Sequence, residues 1–354
     1  MEFKQLKRYI LSVHQRVLPN VTYDFSSFSY LYSDKTIRSY FKGIRVINEY
    51  PGLYDLFYKR GFDMSLADKV RKTRLRSKDI FFENISMLLK LSSSPSTRFE
   101  VKLDDGVLDF LTHRFKIDVL GSSDLPTFEF PSWEQVLYAV NKTASSGLPN
   151  PFIKKRDFIR DFHSIYNSIL SGNFRHTDVF RLPAAAFLRS QIRLSDLKIR
   201  IVNAVEKYQG FIESIYYNWF MNGYIKIQHN SCICIGLTQR QISDVVQQYK
   251  YLNTYSIDYK KWDLKRPQII SIISFCVLEY CLPVNNYHLK ILRSLRNYYL
   301  TMPIFHPQFE LIRRHRGTIS GSGFTSLDNS ICNWILTSMS IYFYCKQKVL
   351  TLFY

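Results

Sequence analysis

The stretch that most constrains this chain runs from Gly317 to Asn333, Gly-Thr-Ile-Ser-Gly-Ser-Gly-Phe-Thr-Ser-Leu-Asp-Asn-Ser-Ile-Cys-Asn. A Ser/Gly loop here leads into a segment with helical spacing. Thr325, Asn329 and Asn333 recur every fourth residue, so a helix beginning near Phe324 stacks all three in one row. That spacing alone also fits an ordinary loop followed by a helix whose Asn residues face water. A second segment narrows the reading. Asp258-Tyr-Lys-Lys-Trp-Asp263 carries two acids, and Thr254-Tyr-Ser-Ile-Asp258 reads as a short strand. The end of such a strand presents the Asp258 carboxylate at a sheet edge while Ile257 points to the other face.

Two further segments precede these. Ser145-Ser146-Gly147-Leu148-Pro149 is followed by Lys154-Lys155-Arg156-Asp157, and Leu197-Lys198-Ile199-Arg200-Ile201-Val202 alternates cations with apolar residues. In an extended segment that alternation puts Lys198 and Arg200 on one face. Taken in order, the four segments resemble motifs G, F, A and B of viral RNA-dependent RNA polymerases. The short Lys-x-Arg-x-Val element and the Ser/Thr-rich motif B look most like partitivirus-type and picobirnavirus-type enzymes of double-stranded RNA viruses, and picornavirus-type enzymes are similar too.

The resemblance implies an α+β right-hand polymerase, mostly helical, with fingers and a partial palm around a small antiparallel palm sheet. Its reaction is template-directed nucleotidyl transfer, in which two divalent ions, Mg²⁺ or Mn²⁺, stabilise the attacking and leaving oxygens. Asp258 matches the family's catalytic metal ligand. Asp263 and Asn329 match the residues around the ribose 2′-hydroxyl, with Ser320 and Thr325 assisting. Lys198 and Arg200, joined by Arg193, match the triphosphate contacts. Ser146, Gly147, Pro149, Lys154, Lys155 and Gly321 match the path of template RNA. Reverse transcriptases carry a bulky aromatic at the motif A position held here by Asp263, which separates the two families; Trp262, one residue earlier, reads as a packing residue.

One departure stands out. Motif C, usually Gly-Asp-Asp, supplies the second metal-binding acid, and no Asp or Glu follows Asn333. Asp104-Asp105 lies ahead of motifs G and F, where no permuted motif C belongs, and reads as a turn. The expectation is a chain holding the front of a polymerase, with the thumb absent and no synthesis by these residues alone. A non-catalytic RNA-binding relative is the alternative from a different functional class.

Composition agrees with a polyanion partner. The 354 residues carry a formal charge of +19, and such an excess attracts phosphate backbones at long range. Cys232, Cys234 and His229 offer three zinc ligands without a fourth nearby, and the other cysteines sit among apolar residues as buried free thiols do. The N-terminus lacks the apolar core of a signal peptide, and a reducing host cytoplasm, or the inside of a capsid, is the setting expected. Ile331 to Cys345 is uncharged but punctuated by Asn333, Thr337, Ser338 and Ser340, which fits a buried helix under a site better than a membrane span. Ile269 to Val284 reads as a core helix with Pro267 near its start.

Along the chain, residues 1–90 form an N-terminal extension with a basic run at Lys69 to Lys78, and Leu91 to Thr97 reads as a linker. The resemblance then assigns 91–257 to fingers, 258–283 to palm with motif A, 284–316 to a return into the fingers and 317–354 to palm with motif B.

Overall fold

The computed structural model describes residues 105–121, 128–148, 153–175, 182–192, 197–226, 231–248, 259, 262–306, 310–312 and 316–352. The expected extension, its basic run and the linker at Leu91 to Thr97 lie outside them. The described residues open on helix α1 (Asp105–Asp118). The turn expected at Asp104-Asp105 is therefore not formed at Asp105; Asp104 lies outside the described residues.

Helix α2 (Trp133–Ala139) starts at a capping box in which the Ser132 hydroxyl accepts from the Gln135 amide and the Gln135 side chain accepts from the Ser132 amide. A 3₁₀ turn (Lys155–Phe158) runs into α3 (Ile159–Leu170), whose buried Phe162, Tyr166 and Ile169 lie on one face. Strands β1 (Ala184–Ile192) and β2 (Leu197–Ala204) form an antiparallel hairpin pairing Ala185 with Ala204 through to Ile192 with Leu197. Helix α4 (Lys207–Tyr224) is buried around most of its circumference, as a central core helix must be. Its N-terminus is capped by the Glu206 carboxylate, which accepts from the Tyr208 and Gln209 amides at 2.9 Å each.

After α5 (Gln239–Gln248) and the short α6 (Trp262–Lys265) comes α7 (Gln268–Cys281), with Pro267 at its N-cap as the sequence predicts. Its apolar residues Ile270, Ile272, Ile273, Phe275 and Leu278 are all buried. Glu279, the charge that interrupts that run, is buried in an ion pair with Arg296 of α8 (Asn286–Thr301). Strands β3 (Ile304–His306) and β4 (Glu310–Ile312) complete a sheet of order β2-β1-β3-β4. Because β1 and β3 run parallel, this sheet is mixed rather than antiparallel throughout. Among the described residues its strands come from the motif F region and from residues 304–312; Thr254 to Asp258, expected as a strand, lies outside them.

Helix α9 (Thr325–Leu352) begins where the Thr325, Asn329, Asn333 spacing places it. Phe324, Leu327, Ile331, Cys332 and Ile335 bury one side of it against the core that α7 shares. Burial ends near Met339, and Ile341, Phe343 and Tyr344 are exposed, so only the front of this helix is the buried helix expected. Among the described residues no helix is long and apolar enough to cross a membrane.

Candidate active site

Backbone contacts bring the four motif segments together. The Ser145–Gly147 turn pairs with the basic segment after it, the Ser146 amide donating to the Ile153 carbonyl at 2.9 Å and the Lys155 amide to the Ala144 carbonyl at 3.1 Å. Gly147 has φ +73°, and a Cβ there would lie 2.4 Å from the Val205 carbonyl oxygen. Only glycine combines that left-handed backbone with so close an approach to the end of β2. Motif G is thereby seated on motif F.

The Ser/Gly loop of motif B meets the same strand. The Asn203 amide of β2 donates to the Ser320 Oγ at 2.9 Å, and a Cβ on Gly321 would lie 1.7 Å from the Asn203 carbonyl oxygen. On its other side the loop is held by α4. Glu213, fully buried, accepts from the Ser322 hydroxyl at 2.6 Å, the Gly323 amide at 2.8 Å and the Gln209 side chain at 2.7 Å. Burial raises the Glu213 pKa above the ordinary glutamate value, although those donors and the charge of Lys155 oppose the rise. Glu206 is raised too, again chiefly by burial. Lys155 is half-buried against these two carboxylates, and desolvation lowers its pKa despite their charges. Thr325 spends its hydroxyl inside the loop, donating to the Ile319 and Ser322 carbonyls at 2.5 and 2.9 Å.

Motif A docks on motif B through α6. The Thr318 amide donates to the Asp263 carbonyl at 2.9 Å and the Gly317 amide to the Arg266 carbonyl at 2.8 Å. Asn329 Oδ1 accepts from Trp262 Nε1 at 2.9 Å and from Arg266 Nη1 at 2.8 Å. Arg266 has no solvent exposure on its side chain, pairs with the equally buried Asp328, and donates from Nη2 to Ser271 Oγ at 2.6 Å. Burial alone would lower the guanidinium pKa, and the Asp328 carboxylate, with smaller contributions from Cys332 and Tyr299, more than reverses this. Asp328 also accepts from Tyr299 Oη at 2.8 Å, and Tyr299 and Thr318 share a hydroxyl hydrogen bond of 2.6 Å.

The described sequence-predicted residues are distributed as follows over the fold. Asp263, exposed, and Asn329, half-buried, sit on segments bonded to each other, with Ser320 and Gly321 on the adjoining loop. Of the residues expected on the RNA path, Ser146 is buried, Lys155 half-buried and Lys154 exposed. Lys198 and Arg200 lie on β2 opposite Gln191 and Arg189. Asp258, Arg193 and Pro149 lie outside the described residues. Sequence reasoning missed Arg266, Asp328 and Glu213. Two signals were available: Asp328 is the lone charge between Gly317 and Cys345, and a buried acid demands a partner.

A divalent metal site cannot be assembled from what is described. Among the described residues there is no group of three or more His, Cys, Asp and Glu side chains placed to hold an ion. The Asp263 carboxylate by itself does not make a two-metal site.

The fold resembles solved structures of the RNA-dependent RNA polymerase of a human picobirnavirus, with TM-score 0.53 and 13% identity over 87% of this chain. An insertion-loop deletion mutant of that polymerase gives TM-score 0.52, 13% identity and 86% coverage. In both comparisons this chain spans 58% of the length of the polymerase it matches. The family model for viral RNA-dependent RNA polymerase matches residues 131–353, more than half of the chain. That span takes in the Gly147 turn, the β2 strand, the Trp262 helix and the Asn329 helix, whose mutual contacts form the junction described above, and the chain belongs to the viral RNA-dependent RNA polymerase family.

Proposed function

We propose that the chain contributes the nucleotide-selecting and template-entry portion of a template-directed ribonucleotidyl transferase of a double-stranded RNA virus, acting in the host cytoplasm or within the virion. The observation that carries this reading is the bonding of motif A to motif B, with Asn329 gripped by Trp262 and Arg266, and the exposed Asp263 next to Trp262 in the chain. A site that hydrogen-bonds a ribose hydroxyl rejects a sugar lacking it, because its polar groups are then left unpaired. Asp263 and Asn329 take that role, with Ser320 holding the loop on β2. Lys198, Arg200 and Arg193 neutralise the triphosphate, and the charge surplus of the chain favours the template backbone. Lys154 and Gly321 border the template path. Asp258 is the residue for a divalent ion, Mg²⁺ or Mn²⁺, which when bound stabilises charge on the reacting phosphate oxygens.

The test is primer extension on an RNA template by the full reading frame that carries residues 1–354, comparing ribo- and deoxynucleotides. Asp258→Ala should abolish incorporation, and Asn329→Ala should lower the ratio of kcat/KM values for the two sugars. Full activity in Asp258→Ala would sink the catalytic reading, and an unchanged ratio in Asn329→Ala would remove Asn329 from sugar selection.

A further inference from the structure

Both groups that bind Asn329 Oδ1 are donors without acceptors, an indole N–H and a guanidinium. Rotating the Asn329 amide by half a turn would aim its own N–H groups at two donors, one of them charged. The carbonyl edge is therefore locked inward, and the two Nδ2 protons lie on the opposite edge of a side chain that is only half-buried. The lock is itself held. Arg266 is fixed by the buried Asp328 and by Ser271, and the Trp262 ring lies beside the guanidinium at 5.4 Å.

We propose that Trp262 and Arg266 are positioning residues that fix the polarity of sugar recognition: Asn329 presents donors only, so the nucleotide 2′ substituent is read there as an acceptor. A ribose hydroxyl then accepts from Asn329 Nδ2 and gives its own proton to the exposed Asp263 carboxylate. This rests on the reading of Asn329 and Asp263 as sugar ligands. It adds a chemical consequence. A 2′-fluoro nucleotide, which accepts but cannot donate, keeps the Asn329 half of the recognition, and a 2′-deoxy nucleotide loses both halves.

Two measurements test it. In primer extension by the full reading frame, kcat/KM should fall in the order ribo, 2′-fluoro, 2′-deoxy. Asn329→Ala should collapse the fluoro-over-deoxy preference, and Trp262→Phe, which keeps the ring and removes the N–H, should reduce it by roughly fivefold, the worth of one hydrogen bond. A merely structural role for Trp262 would lower all three values together and leave the ratios unchanged. In ¹H–¹⁵N spectra, the indole resonance lost in Trp262→Phe should move in Asn329→Ala. An indole signal indifferent to Asn329→Ala overturns the lock. A preference lowered by Asn329→Ala but untouched by Trp262→Phe overturns the positioning role and leaves Asn329 as a sugar ligand. A preference unaffected by Asn329→Ala overturns the sugar reading and this inference with it.

Discussion

Replacing Asp328 by Asn should unfold this protein far more readily than an isosteric surface change. The substitution keeps the shape and one acceptor oxygen but removes the charge facing Arg266, whose side chain is completely enclosed. Arginine cannot escape by losing its proton. Two unit charges about 4 Å apart attract by roughly 4 kcal/mol at an effective dielectric of about 20. Breaking a buried pair from one side typically costs about 3–5 kcal/mol, which agrees. For a folded unit of about 150–250 residues that loss lowers Tm by about 6 to 20 °C. The remaining partners of the guanidinium, Ser271 Oγ and Asn329 Oδ1, are neutral and offset only part of the loss. Thermal melting followed by circular dichroism should be run on wild type, Asp328→Asn, Arg266→Met and the double variant. The double variant removes both charges and should melt above Asp328→Asn, since it leaves no unpaired buried charge, whereas Asp328→Asn orphans the guanidinium. A fall in Tm below about 3 °C for Asp328→Asn, or single effects that simply add in the double variant, would refute the argument that this pair is buried and coupled.

Gly321→Ala should push the motif B loop off β2, because the added Cβ falls 1.7 Å from the Asn203 carbonyl oxygen, a backbone atom with no freedom to move aside. The expected result is a drop in nucleotide incorporation of about 10²-fold from displaced geometry, with kcat affected; near-normal kcat would show that the loop tolerates the shift. Glu213→Gln should change how stability varies with pH. The folded pKa of Glu213 is raised, so its linked stability is fully present below the ordinary glutamate value and is lost as pH rises through the raised one. Wild type should therefore gain Tm relative to Glu213→Gln as pH is lowered from neutrality, and parallel Tm curves over that window would contradict the raised value.

Much of the local structure was legible in the sequence. Pro267 fixes its own φ and lacks an N–H, so it marks the start of α7 without help from distant residues. Alternation over Leu197 to Val202 identifies β2, and the fourfold spacing after Phe324 identifies α9. The order of the motifs carried the family. These are short-range properties, set by backbone sterics and by hydrogen bonds between residues a few positions apart. The resemblance placed Ser146 and Lys155 on the RNA path; the fold adds that Ser146 is buried and that Lys155 is half-buried near the Glu206 and Glu213 carboxylates.

What only the tertiary structure decided are the pairings between segments far apart in the chain. Parallel contact between β1 and β3 joins Ala184 to Ile304, and nothing in the alternation of either strand specifies that partner. A lone Asp328 in the otherwise uncharged stretch between Gly317 and Cys345 announces a need for compensation, but Arg266 was one of many cations that could meet it. Nothing in the sequence singles out Glu213, which becomes the anchor of the Ser322–Gly323 loop only when α4 is buried beneath it. The sequence determined which residues could form helices, strands and close turns, because those preferences act over a few bonds. Burial selected among the remaining partners, because a charge removed from water is tolerated only where a specific opposite charge or set of donors is already in place.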